Sequence, residues 1–197
     1  MTTKNEIINY FTEKYSDNEF ILDAISKSTE EQLQEKYQLS LYRDQEENNI
    51  LENGTYTYRL SYETKEDEEA ILNYMRDNKM YTFDEDGLNF RIRVGNYCIV
   101  GVPEKFINKL KENFNITHMD LKRKIIGKKD IEGLKVGDKV KVYIDGIFGL
   151  SSDQGTIYEI NENEVIVRKY RSRTKGYTIQ IGHIGEIEKV SKFTKTA

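Results

Sequence analysis

The stretch from Leu134 to Val190 constrains the fold more than any other part of the chain. Short alternating runs of apolar and polar residues are cut there by Gly, Asp and Asn. A period of two sends successive side chains to opposite faces, the mark of a half-buried strand. Val140, Val142 and Ile144 share one face of the first run, Lys139–Ile144. A glycine-bearing loop, Asp145–Gln154, follows. Further strands are expected at Thr156–Ile160, Glu164–Tyr170, Tyr177–Ile181 and Glu186–Val190, with Asn161-Glu162-Asn163 turning the second into the third. Five short strands in so small a space predict a small closed barrel.

Upstream the period changes twice. In residues 1–53, Ile7, Ile8, Phe11 and Tyr15 recur at helical spacing, as do Phe20, Ile21, Ala24 and Ile25. Thr29 and Gln32 fit a capping box that opens a third helix bearing Leu33, Tyr37 and Leu41. The polar run Arg43–Asn53 reads as a loop ending in the turn Asn53-Gly54. Residues 54–126 open with the strand Thr55–Tyr62. A helix capped by Thr64 follows, then a hairpin turning at Asp84–Gly87, the strand Tyr97–Val102, a helix after Pro103 and a returning strand at Ile116–Ile126. Residues 127–133, GKKDIEG, read as a linker.

Two resemblances follow from these residues. The order strand, helix, hairpin, added strand, helix, strand in 54–126 resembles a ferredoxin-like α/β sandwich. In 134–197, Leu134, Gly137, Asp138, Val140 and Val142 match hydrophobic-x-x-Gly-Asp-x-Val-x-Val. Gly146, Gly149, Gly155 and Ile157 match the glycine-studded loop and the Gly-x-Ile strand that follow it. This segment resembles an SH3-like barrel of the KOW kind. The expected fold class is therefore α+β: N-terminal helices, a ferredoxin-like α/β sandwich and a C-terminal SH3-like small β-barrel. The KOW resemblance implies a nucleic-acid, ribonucleoprotein or protein partner. The loop Asp145–Gln154 lacks the basic residues common in the nucleic-acid binders.

Charge gives the partner its chemistry. Residues 1–120 hold 14 Lys or Arg against 24 Asp or Glu, whereas residues 121–197 hold 16 against 10. The barrel segment is thus the cationic part of an acidic protein, and such asymmetry points to an electrostatic partner. The candidate nucleic-acid-binding residues are Arg168, Lys169, Tyr170, Arg171, Arg173, Lys175 and Tyr177, extended by Lys128 and Lys129. Arg and Lys neutralise phosphates and release counterions, and tyrosines stack on unpaired bases. A solvated hairpin whose charges guard a strand edge is the alternative.

The acidic candidates for partner binding are Glu66, Asp67, Glu68 and Glu69 at a helix start and Asp84, Glu85 and Asp86 at the hairpin turn. Turn geometry and the helix dipole explain such residues without a metal, so neither a metal site nor any cofactor is expected. Cys98 reads as a small buried hydrophobe. His118 and His183 have no evident partner in sequence, and no P-loop, dinucleotide fingerprint, zinc spacing or nucleophile elbow is present. No catalytic residue is assigned, and the chain is not expected to be an enzyme.

A single cysteine and the absence of a signal peptide or membrane span predict a soluble protein of a reducing cytoplasm. The expected function is a non-enzymatic binding protein that engages nucleic acid or a nucleoprotein through the basic barrel loop. The alternative is a phage or mobile-element inhibitor of a host defence or nucleic-acid-binding protein, of the anti-CRISPR kind, acting through its acidic surfaces. Its Lys-, Asn-, Ile- and Tyr-rich composition, which AT-rich coding produces, suits that reading.

Overall fold

The computed structural model describes residues 2–84, 87–91, 94–95, 98–146, 149–170 and 176–193. The fold is mixed α+β, with helices and antiparallel sheets, and the chain divides into two compact units, residues 1–48 and 49–197.

The first unit is helical. Helix α1 (Lys4–Lys14) starts at Thr3, which forms a reciprocal capping box with Glu6. Helix α2 (Glu19–Ser26) starts at Asn18, whose side chain accepts from the Ile21 amide. Helix α3 (Glu30–Asn53) opens on the expected pairing of Thr29 with Gln32. Ile7, Phe11, Ile25 and Leu33 form the unit's core.

Helix α3 runs 24 residues, through the stretch expected to be a loop. Its polar run contains no proline or glycine, and Glu, Gln and Leu are good helix formers. Ile50, buried in the second unit, anchors the last turns. Gly54 ends the helix with φ +68, its amide donating to the Ile50 carbonyl at 2.7 Å.

The second unit holds both larger sheets. Strand β1 (Thr55–Ser61) is followed by α4 (Lys65–Asp77), capped by Thr64 as expected. Strands β2 (Thr82–Asp84) and β3 (Gly87–Arg91) pair as a hairpin with Asp84 opposite Gly87. A short strand β4 (Val94–Gly95) pairs with β5 (Cys98–Pro103). Helix α5 (Glu104–Asn113) begins after Pro103 and leads to β6 (His118–Ile125). The sheet order is β4-β5-β1-β6, antiparallel throughout. Phe106, Ile107 and Leu110 of α5 are buried, as are Ile71 and Met75 of α4. Period-3.6 stripes put these residues on one side of each helix.

Residues 127–133, expected as a linker, carry the short helix α6 (Lys128–Ile131). Asp130 caps it through the Gly127 amide and is ion-paired with Lys124. The backbones of Gly54 and Gly127 lie against each other, and a Cβ on Gly127 would stand 2.7 Å from the Asn53 carbonyl carbon.

The second large sheet follows, with β7 (Lys139–Gly146), β8 (Gly149–Ile160), β9 (Glu164–Lys169), β10 (Gly176–Gln180) and β11 (Glu186–Lys189). The order is β10-β9-β8-β7-β11, again antiparallel. Most of the expected loop Asp145–Gln154 is strand, because the β7–β8 ladder continues out to Gly146 opposite Gly149. Ser and Asp have weak strand propensity, but paired backbone groups outweigh it. Val140, Val142, Ile157, Val165, Val167 and Ile179 form the core, joined by Ile126 from the end of β6. The two sheets are hydrogen-bonded there: Ile126 donates to the His183 carbonyl at 3.0 Å and accepts from Gly182 at 2.8 Å.

Candidate nucleic-acid interface

The alternation of β9 divides the expected basic run between two faces. Val165 and Val167 are buried, so Arg168 projects from the opposite, outer side. In register across the sheet, Lys139 pairs with Thr156, Thr156 with Arg168, and Arg168 with Gly176. Lys139 and Arg168 therefore flank Thr156 on one outer row, and both are exposed.

Alternation adds an aromatic ring beside that row, next to a bulge. Ile157 pairs with Val167 and Glu159 with Ile166, which leaves Tyr158 as the extra residue. Ile157 is buried and Tyr158, next in the alternation, is 55% exposed, while the bulge resets the parity so that Ile160 packs against the same core. The Arg168 guanidinium lies 4.4 Å from the centre of the Tyr158 ring. A cation held over an aromatic face keeps its outward N–H groups available to an anion.

Tyr170 lies just beyond β9, 41% exposed, with its amide donating to the Gln154 carbonyl at 2.7 Å. Its ring stands 4.3 Å from that of Phe193, and the Lys139 ammonium lies 5.5 Å from the Phe193 ring. Lys139, Tyr158, Arg168, Tyr170 and Phe193 thus make a cationic-aromatic surface. Sequence reading missed Lys139, Tyr158 and Phe193. The turn at Asn161–Asn163 carried a usable signal, since folding β8 back along β9 through it sets Arg168 near Thr156 and Tyr158.

Lys169 and Tyr177 do different work. Both have the parity of the core face, and Tyr177 packs against the core cluster. Lys169 is ion-paired with Asp153, and the Tyr177 hydroxyl donates to the same carboxylate. Lys169 also donates to the Tyr177 hydroxyl at 3.1 Å. The Asp153 contact raises the Lys169 ammonium above its ordinary range. Burial pulls the Asp153 carboxyl upward, but hydrogen bonds from Lys169 and Tyr177 outweigh it and hold the group below the usual value. This network ties β8, β9 and β10 together, and Tyr177 is not an open stacking platform.

Arg171, Arg173 and Lys175 lie outside the described residues. Lys128 and Lys129 are exposed on α6, and Lys129 donates to the Asn53 side chain at 2.7 Å. They belong to the junction built around Gly54 and Gly127, not to the outer row of the five-stranded sheet.

Of the acidic candidates, Asp67 closes the α4 capping box with Thr64 at 2.8 Å between side chains. Glu66 and Glu69 are exposed and Glu68 is half-buried on the same helix. Asp84 sits at the hairpin end of β2, while Glu85 and Asp86 lie outside the described residues. Among the described residues no three or more His, Cys, Asp or Glu side chains are grouped so as to hold a metal ion. Cys98 begins β5, and His118 and His183 are exposed. Among the described residues no helix is long and apolar enough to cross a membrane.

Compared with known proteins, the chain matches no family model and no curated relative.

Proposed function

We propose that the chain is a non-enzymatic binding protein that engages nucleic acid or a nucleoprotein through the outer face of its C-terminal five-stranded sheet. The observation that carries this reading is the Arg168 guanidinium over the exposed Tyr158 ring, in register with Lys139. Cations on such a face neutralise phosphates, while the rings of Tyr158 and Tyr170 offer stacking surface to unpaired bases.

Topology supports the same reading. A four-strand meander, β7 to β10, with the last strand β11 returning beside the first, is the order of an SH3-like barrel. The order β4-β5-β1-β6, with α4 and α5 as the connecting helices, is that of a ferredoxin-like sandwich carrying β2–β3 as an added hairpin. The single cysteine suits a reducing cytoplasm.

The test is fluorescence anisotropy with labelled single-stranded and duplex RNA and DNA. Saturable binding that Arg168→Glu abolishes is expected. Binding by no nucleic acid, or binding that Arg168→Glu leaves unchanged, overturns the assignment to this face.

The exposed carboxylates Glu66 and Glu69 favour a second reading, a protein-directed inhibitor acting through its acidic surface. A pull-down with nuclease treatment separates the two. Partners lost with the nucleic acid support the first reading, and protein partners retained without it support the second.

A further inference from the structure

We infer that the groove between α1, α2 and α3 is a docking site for an acidic amphipathic helix of a partner protein. The inference concerns the first unit alone and does not depend on the nucleic-acid reading.

The groove encloses about 390 Å³, and its floor is formed by Phe11, Tyr15, Ile21 and Ile25. Phe20 stands at its side with 84% of its surface exposed, although it sits on a helix whose neighbouring Ile25 is buried. Exposed aromatic side chains beside an apolar depression are the usual anchors of an interface.

Helix α3 sets the shape. It contributes Lys36, Leu39, Ser40, Arg43, Asp44 and Glu47, which recur at steps of three and four and so share one face. At 1.5 Å per residue the run from Lys36 to Glu47 extends about 16 Å, or about three helical turns. A groove bordered over that length by α3, with its apolar lining supplied by α1, α2 and Leu39, suits a helix laid along α3, reached by anchors at i, i+3, i+4 and i+7.

Charge specifies the occupant. Residues 1–48 hold 5 Lys or Arg against 11 Asp or Glu. The groove takes three of those cations, Lys14, Lys36 and Arg43, but only two carboxylates, Asp44 and Glu47. Asp44 accepts from the Tyr10 hydroxyl at 2.7 Å and is ion-paired with Lys14, which cancels one charge of each sign and leaves the excess at one cation. Cations outnumber carboxylates along a groove cut into a unit where the reverse holds, which complements an acidic partner and repels a basic one.

The experiment uses the full chain and a labelled model peptide of four helical turns, with Leu at the i, i+3, i+4 and i+7 anchors and Glu on the remaining face. A matched peptide carries Lys in place of Glu. Micromolar binding of the acidic peptide is expected, at least tenfold weaker for the Lys peptide. Phe20→Ser and Arg43→Glu should each weaken the acidic peptide at least tenfold, with circular dichroism showing an unchanged fold. Equal binding of the two peptides, or no saturation at millimolar protein, overturns the proposal. So does sedimentation showing a wild-type dimer that Phe20→Ser converts to a monomer, because a second copy would then fill the groove.

Discussion

The guanidinium of Arg168 on β9 lies 4.4 Å from the centre of the Tyr158 ring on β8. Alternation puts the two on one face, since Thr156 opposite Arg168 is outward, Ile157 is buried and Tyr158 is outward again. Exposed cation–π pairs contribute only about 0.5–1 kcal/mol to folding. Arg168→Ala and Tyr158→Ala should therefore shift urea midpoints little. If the face binds nucleic acid, each should weaken that binding severalfold, more for Arg168, as anisotropy would show. Marked unfolding by either variant would assign the pair to stability instead.

Asp153 joins Lys169 and Tyr177, and its carboxyl lies below the ordinary value of 3.8 because Lys169 and Tyr177 outweigh the effect of burial. A depressed carboxylate contributes stability that is whole above its unfolded value and is lost as pH falls through the folded one. Asp153→Asn should be less stable than wild type at neutral pH. The gap between their urea midpoints should close as the pH falls below about 4. A gap constant down to that pH would show that the carboxylate charge contributes nothing.

Lys79 follows α4 with φ 53, in the left-handed region that costs a side chain energy. The Met80 amide donates to the Met75 carbonyl at 2.7 Å, closing the helix in the manner that usually employs glycine. Lys79→Gly should stabilise the chain by about 0.5–1 kcal/mol, read from thermal or urea unfolding.

Gly54 and Gly127 meet where α3, β1 and α6 converge. A Cβ on Gly54 would stand 2.8 Å from the Ile125 carbonyl oxygen, and one on Gly127 would strike the Asn53–Gly54 backbone. Backbone cannot yield as a flexible side chain does, so Gly127→Ala should destabilise by about 3 kcal/mol or more. Ala at Gly133, where a Cβ meets nothing within 4 Å, is a control for glycine replacement itself, though its φ of +78 carries its own strain.

Local signals were read well from the sequence. Thr29 and Thr64 mark helix starts because side-chain caps act within one turn, and Pro103 marks one because its fixed φ and missing N–H suit the first turn of a helix. The alternation of Val140, Val142, Val165 and Val167 marks the strands because one face must be buried. What pairing decides was not legible. Arg168, Lys169, Tyr170 and Tyr177 read as one patch along the chain, yet a strand sends neighbours to opposite faces, and Lys169 and Tyr177 turn toward Asp153. Lys139 and Phe193 join the site through register and ring contact, which adjacent residues do not reveal. The β7–β8 extension and the last turns of α3 were missed because polar residues there are held by long-range pairing and by Ile50.

The central claim is that the outer face of the five-stranded sheet binds nucleic acid through its cations. The most direct measurement is the salt dependence of binding to single-stranded RNA for wild type and Arg168→Ala. Two phosphate contacts, from Lys139 and Arg168, predict that log K falls linearly with log salt, with a slope of about −1.4, and that Arg168→Ala reduces the slope by about 0.7. Millimolar binding that ignores salt, or a slope that Arg168→Ala does not alter, would contradict it.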